Sequence, residues 1–236
     1  MKKIIFVALL FTILSPISVS AHQPRLVEQN TTVVQDPEVS QAFYGQLQGE
    51  PQYYKISSGI NFDFYINILV PDLPNSTQDF SVAVTKIVNG QDENLTLLDG
   101  QNYQWQYFFE DYAGDGYYKG PEYRAKLAPG DYTLKVFNPD NQGKYSLAIG
   151  QKESFPPSEM LHTLLVLPEL KTQFFDKPFY LIFYNRVGLY LGALISVLAA
   201  VVIGIIFIIR AAKRRKTKDI RIEKIGGQNL CQTKRK

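Results

Sequence analysis

Between Glu110 and Glu122 the chain concentrates hard oxygen donors among glycines: Glu110-Asp111-Tyr112-Ala113-Gly114-Asp115-Gly116, with Glu122 a little further on. Calcium takes six to eight oxygens, and loop carbonyls can complete a carboxylate set where glycine permits a tight backbone. The spacing departs from the EF-hand pattern. Two readings stand: a calcium loop with Asp111 and Asp115 as ligands, or a solvated acidic turn. Tyr103, Trp105, Tyr107, Phe108, Phe109, Tyr112, Tyr117, Tyr118 and Tyr123 surround this segment. Exposed, such rings form a platform for a glycan or peptide; turned inward, they are core. The candidate ligand site is Glu110, Asp111, Asp115, Tyr117, Tyr118 and Glu122.

Catalytic machinery is harder to assemble. A Ser-His-Asp arrangement needs an imidazole beside the nucleophile, and the chain has only His22 and His162, neither within a motif. The expectation is a non-enzymatic protein. Cleavage after Ala21 would make His22 the mature N-terminus, whose α-amino and imidazole nitrogens can chelate copper. Only His162 is available as a second histidine, and it belongs to a different segment. No cofactor is required by these residues, calcium at Asp111 and Asp115 or copper at His22 being the metal alternatives.

The elements that must position these groups are bounded by two apolar runs. Val187 to Ile209 is uncharged and long enough to span a bilayer, and Arg210, Lys213, Arg214, Arg215 and Lys216 follow as a stop-transfer signal. Met1 to Ala21 reads as a secretory signal, with Lys2 and Lys3 ahead of an apolar stretch and Val19-Ser20-Ala21 at its end. The expected organisation is a signal peptide at 1–21, an N-terminal extension at 22–39, an ectodomain at 40–151, juxtamembrane helices and an aromatic belt at 152–186, a transmembrane helix at 187–209 and a basic cytoplasmic tail at 210–236. The expected location is the cell membrane, crossed once, with the N-terminal domain extracytoplasmic.

Charge divides along the same boundaries. The whole chain is +3, but residues 210–236 hold +9 and the first 21 residues +2, leaving −8 between them. The acidic ectodomain argues against nucleic acid as a partner. The basic tail suits contacts with anionic lipid. A protein partner or extracellular ligand is expected for the ectodomain. The only cysteine, Cys231, falls in the tail, so the ectodomain must be held by its core without a disulfide. Asn30, Asn75 and Asn94 begin Asn-x-Ser/Thr sequons, read as chance matches in a chain whose short Lys-rich signal looks bacterial.

From about Ser40 to Gly150 apolar residues alternate with a period of two. Phe62, Phe64, Ile66, Ile68 and Val70 form one such set; Phe80, Val82 and Val84, Tyr132, Leu134 and Val136, and Tyr145, Leu147 and Ile149 form others. Phe43 to Leu47, Tyr53 to Ile56, Tyr103 to Phe108 and Tyr123 to Leu127 are further candidates, and Thr32 to Val34 would add an edge strand. Turn signals at Pro71 to Asn75, Asn89-Gly90, Asp99-Gly100, Pro129-Gly130-Asp131 and Pro139 to Gly143 separate them. The pattern predicts a mainly β protein, an antiparallel β-sandwich of jelly-roll-like form. Beyond Pro156-Pro157 the period becomes helical, with Ser158 as N-cap and Leu161, Leu164 and Leu165 on one apolar face. Pro168 is expected to open a second short helix carrying Leu170 and Phe174. Phe179, Tyr180, Phe183, Tyr184 and Tyr190 then form an interfacial belt, with Arg186 beside it.

Ala128-Pro129-Gly130-Asp131-Tyr132-Thr133-Leu134-Lys135-Val136, followed by Gly143-Lys144-Tyr145-Ser146-Leu147-Ala148-Ile149, resembles the closing hairpin of bacterial pre-peptidase C-terminal-like domains. Asn61-Phe62-Asp63-Phe64-Tyr65-Ile66 is similar to their aspartate-bearing central strand. The resemblance covers Ser40 to Gly150 and implies a β-sandwich. Such domains are usually accessory to secreted peptidases, and no peptidase accompanies this one.

Overall fold

The computed structural model describes residues 22–111 and 113–233; the expected signal segment and Tyr112 lie outside the described residues. The chain divides into two compact units, one ending at Arg186 and one beginning at Val187.

Among the described residues the first unit carries eleven strands: β1 (Gln23–Leu26), β2 (Thr31–Val33), β3 (Gln41–Gln48), β4 (Gln52–Ser58), β5 (Phe62–Pro71), β6 (Ser81–Val88), β7 (Gln91–Leu98), β8 (Gln106–Glu110), β9 (Asp115–Leu127), β10 (Gly130–Phe137) and β11 (Gln142–Ile149). They form a six-stranded sheet of order β1-β3-β11-β5-β9-β8 and a five-stranded sheet of order β2-β4-β10-β6-β7. Within these, β3-β11-β5-β9 lies in one sheet and β4-β10-β6-β7 in the other, every pair antiparallel. This is the strand order of a jelly roll, in which successive strands cross between two sheets. The antiparallel expectation needs one correction: β1 and β2 join the edges at β3 and β4 in parallel, so both sheets are mixed. These two strands arrive from an N-terminal extension rather than a hairpin, which removes the antiparallel constraint.

Alternation built the core between the sheets. Phe62, Phe64, Ile66, Ile68 and Val70 of β5 meet Val82, Val84, Leu134 and Val136 of the opposite sheet, all essentially buried. Tyr54 and Tyr145 are also wholly inside, and their hydroxyls satisfy one another at 2.7 Å while Tyr145 donates to Gln52 Oε1 at 2.6 Å. Buried phenols need such partners. Tyr132 donates its hydroxyl to the Ala128 carbonyl at 2.6 Å, bracing the Pro129-Gly130-Asp131 turn. The Pro-Gly-Asp-Tyr motif is thus a corner of the sandwich, a structural use of the tyrosine.

Strands β1 and β7 and the first half of β9 escaped the alternation reading. Strand β7, Gln91–Leu98, is an edge strand exposed along most of its length and reaching the core only at Leu98, so no period of two marks it. The first half of β9 was expected as loop, yet β9 runs unbroken from Asp115 to Leu127. Its register against β5 shifts between Asn67 and Leu69, where Gly120 and Pro121 form a bulge. The buried Asn67 amide donates to both their carbonyls, at 2.9 and 3.1 Å. A bulge inverts the facing parity along a strand, which is why Tyr118 and Tyr123 share the inner side at an odd spacing.

Residues beyond the sandwich fold back onto it. Helix α1 (Pro157–Glu169) continues through Pro168 into a wider π-type turn at Leu170–Phe174, and a short 3-10 helix follows at Phe179–Phe183. Pro156 occupies the cap position, so Ser158 does not cap. Leu161, Leu164 and Leu165 point outward, whereas Leu167, Leu170, Phe174 and Phe175 are buried. They pack on Leu26, Tyr44, Leu69 and Tyr117, the outer face of the six-stranded sheet, forming a second core.

In the second unit, helix α2 (Arg186–Thr233) contains Leu191–Ala211, a 21-residue stretch of mean hydropathy 3.0 that is long and apolar enough to cross a membrane.

Candidate functional site

The acidic segment becomes a tight hairpin tip. Asp111, Ala113 and Gly114 lie in the turn between β8 and β9, closed by the Gly114 N–H donating to Glu110 O at 2.9 Å and by the Ala113 N–H donating to Glu110 Oε2 at 2.7 Å. Gly114 has φ of +74°, a conformation that disfavours a Cβ. From this turn β9 carries Asp115 and Tyr117 onto the outer sheet face, where the π-type turn docks.

There Asp115 meets two lysines. Lys171 Nζ donates to Asp115 Oδ2 at 2.5 Å and to the Ala113 carbonyl at 2.7 Å, and Lys177 Nζ donates to Asp115 Oδ1 at 2.9 Å. Asp115 and Lys171 are each 1% exposed. Burial pushes the Lys171 ammonium below its usual value, with Asp115 opposing the fall. Phe175 lies beside both ammonium groups, its ring centroid 5.5 and 5.6 Å away. Asn185 also donates to the Ala113 carbonyl, at 2.7 Å, and Arg186 pairs with Asp111 at 2.9 Å. The tip therefore clamps four positions of the chain just ahead of the apolar span.

This geometry replaces the open donor set that a calcium loop requires. Both oxygens of Asp115 accept from this chain's own cations, Asp111 pairs with Arg186, and Glu110 caps the turn. Glu122 lies along the strand, paired with Lys119 at 3.2 Å and Arg124 at 3.6 Å. Among the described residues, no group of three or more His, Cys, Asp or Glu side chains is placed to hold a metal ion. His22 bonds Ser40 Oγ at 2.7 Å, while His162 stands 3.4 Å from Arg25. The copper alternative therefore has its two imidazoles engaged with different neighbours.

The expected aromatic platform also divides. Tyr117 is buried in the second core, its hydroxyl 3.4 Å from that of Tyr44, and burial raises both phenols well above their usual range. Tyr118 is half-buried against Tyr107. Trp105 donates its indole N–H to Gly100 O at 2.8 Å and covers Gly120, where a Cβ would lie 2.6 Å from the indole ring. Tyr107, Phe108 and Phe109 on β8 remain exposed.

A different concavity opens on the part of the outer sheet face that the helices leave bare. Glu38, Asp63, Phe64, Tyr65, Arg124, Ala125, Gln151 and Lys152 line a groove of about 670 Å³. The β5–β9 register sets Tyr65 opposite Arg124 and Asn67 opposite Glu122, and a bridge between Val39 and Lys152 brings the other wall. Arg124 lies 4.8 Å from the Tyr65 ring centroid, and the Tyr65 hydroxyl donates to Glu122 at 3.0 Å. Burial first, then the Glu122 carboxylate, pushes Tyr65 up to about 12. Glu122 moves the other way: desolvation raises it, but hydrogen bonds from Lys119 and Tyr65 outweigh that and hold it below its ordinary value. The sequence contained one clue to this surface, Asp63 and Tyr65 interleaved with the inward Phe62, Phe64 and Ile66. The cross-strand partners became neighbours only through the register.

No family model matches the chain, and no curated protein matches it. Among solved structures, the chain is similar to the pre-peptidase C-terminal domain of a collagenase from Bacillus anthracis, with 12% identity over 56% of this chain and 98% of that one, at a TM-score of 0.30. It is also similar to part of a β-glucosidase from Paenibacillus barengoltzii, with 16% identity over 58% of this chain, at a TM-score of 0.21. The matched part is 14% of the glucosidase chain. The jelly-roll assignment rests on the strand order itself.

Proposed function

We propose that this protein is a non-enzymatic interaction module of the cell envelope, anchored by one membrane-spanning helix and displaying its jelly roll outside the cytoplasm. The observation that carries this reading is the docking of residues 157–186 on the sandwich immediately ahead of the apolar stretch Leu191–Ala211. A flexible tether would need neither a second core nor a buried ion pair. The basic excess after Ile209 supports a cytoplasmic tail by the positive-inside rule. The candidate acids of the β8–β9 hairpin are spent on internal pairing, which supports a mechanical use of that hairpin over a catalytic or metal-binding one.

The groove beside Tyr65 is the face we assign to a ligand. It offers an aromatic edge, carboxylates at Glu38 and Asp63, and cations at Arg124 and Lys152, a mixture suited to a polar peptide or glycan. The test is photo-crosslinking of the full-length protein in its native membranes, with the reactive residue replacing Asp63 and, as a control, Thr96 on the far edge strand. A specific adduct at 63 that disappears in Tyr65→Ala/Arg124→Ala supports the reading. Equal or absent labelling at the two positions overturns it.

A further inference from the structure

We infer that the β8–β9 hairpin is a second membrane contact, with Phe108 and Phe109 entering the headgroup layer of the bilayer that the apolar helix crosses. The inference rests on the anchoring reading above, and two independent observations carry it further. The first is chain length. Asn185 holds the hairpin tip through the Ala113 carbonyl at 2.7 Å, and a Cβ on Gly114 would lie 3.1 Å from the Asn185 Cβ. Leu191 begins the apolar stretch six residues later. At ~1.5 Å per helical residue, that separation is about 9 Å at most, whatever the helix tilt. The interfacial zone on each side of the hydrocarbon is roughly 5–7 Å deep. The chain thereby tethers the tip within a few ångströms of the headgroup layer.

The second observation is the chemistry of the two outermost strands. Strand β7 ends the five-stranded sheet with Asp92, Glu93 and Asn94 exposed ahead of Leu95 and Leu97, which are 38% and 58% exposed, so charge interrupts its apolar edge as expected of a strand bordering water, and no aromatic ring lies on it. Strand β8 ends the other sheet with Tyr107, Phe108 and Phe109, which are 59%, 43% and 50% exposed. Phe109 pairs with Gly116 and Phe108 with Tyr117, so both rings lie within a few residues of the tip. Phe179, Tyr180, Phe183 and Tyr184 are exposed on the segment that the same tip clamps. Aromatic rings gain from the interface between water and hydrocarbon, whereas in plain water they would leave an apolar sheet edge open to pairing.

The test uses the full-length chain with Cys231→Ser, carrying a single nitrobenzoxadiazole-labelled cysteine and reconstituted in phosphatidylcholine vesicles with or without doxyl-labelled lipid. Labels go at Phe109→Cys, Phe108→Cys, Leu97→Cys on β7 and Leu194→Cys in the apolar stretch. The expected result is quenching at 194, none beyond background at 97, and at 108 or 109 quenching about two-fold or more above that of 97. Quenching at 194 with 108 and 109 no different from 97 overturns the inference and leaves the anchoring intact. Absence of quenching at 194 overturns the anchoring itself, and the inference with it. Environment shifts at 108 and 109 that follow protein-to-lipid ratio without lipid quenching would assign the β8 edge to a second copy of the chain, which also overturns it.

Discussion

The two faces of the six-stranded sheet carry two cores made of different materials. The inner core is almost purely apolar and follows the alternation of β5, β10 and β11. The outer core is smaller, with Tyr44, Leu69 and Tyr117 against Leu170, Phe174 and Phe175, and it encloses the Asp115–Lys171 pair at its margin. Apolar burial stabilises without direction. A buried ion pair contributes little net stability, because desolvation of two charges offsets much of their attraction, but it penalises every misaligned arrangement. The inner core therefore makes the domain, and the outer one determines where the chain leaves it.

Removing one partner from the buried pair should show the largest effect. Asp115→Ala leaves the Lys171 ammonium uncompensated and should cost about 3–5 kcal/mol, with hydrogen-exchange protection lost first in residues 157–177. Replacing both, as Asp115→Leu/Lys171→Met, should recover most of it; if the double variant is as unstable as the single one, the pair is not the source. Leu134→Ala in the inner core should cost about 2–5 kcal/mol by denaturant titration, with protection falling across both sheets. A loss confined to residues 157–186 would contradict the division into two cores.

Acid provides a weaker probe of the groove side. The folded-state value of Glu122 lies below its ordinary 4.5, so its carboxylate contributes stability above that pH and the contribution fades as pH falls through the folded value. Glu122→Gln should lower the melting temperature slightly in the neutral region and converge with the parent in acid, so that the limb below about pH 4.5 is flatter. An unchanged acid limb would remove Glu122 from the account. Leu161→Asp should fall within about 0.5 kcal/mol of the parent in detergent-free soluble form, since Leu161 is 59% exposed and faces away from the second core. Loss of protection in Leu170–Phe174 would show that its face is used. Smallest of all, millimolar calcium should leave the melting temperature unchanged, because Lys171 and Lys177 already occupy both oxygens of Asp115. A calcium-dependent rise that Asp115→Ala abolishes would reinstate the loop as a cation site.

Much of the sandwich was legible because a half-buried strand writes its burial into every second residue. Phe62 to Val70 and Tyr132 to Val136 needed no partner to be read. The edge strand β7 was invisible for the converse reason, since residues 91–97 are largely exposed on both faces and only Leu98 enters the core. The helix after Pro157 was readable as a helix, but its orientation was not. Leu161, Leu164 and Leu165 made the more regular stripe, yet the stripe that packs begins at Leu167 and continues into the π-type turn, where helical spacing no longer applies.

The candidate site shows the same boundary more sharply. Composition marked Glu110–Glu122 as a segment where acids, glycines and aromatics gather, but local chemistry cannot distinguish a carboxylate awaiting a metal from one awaiting a lysine. Lys171 lies 56 residues from Asp115, and nothing in its own neighbourhood marks it for burial. The sequence by itself determined the long apolar stretch, the charge asymmetry around it and the alternating strands, because each is a one-dimensional pattern written along consecutive residues. Tertiary structure alone decided which acid is neutralised, which tyrosine is buried and which sheet face stays open, because those outcomes depend on residues that approach one another only after the two sheets have closed.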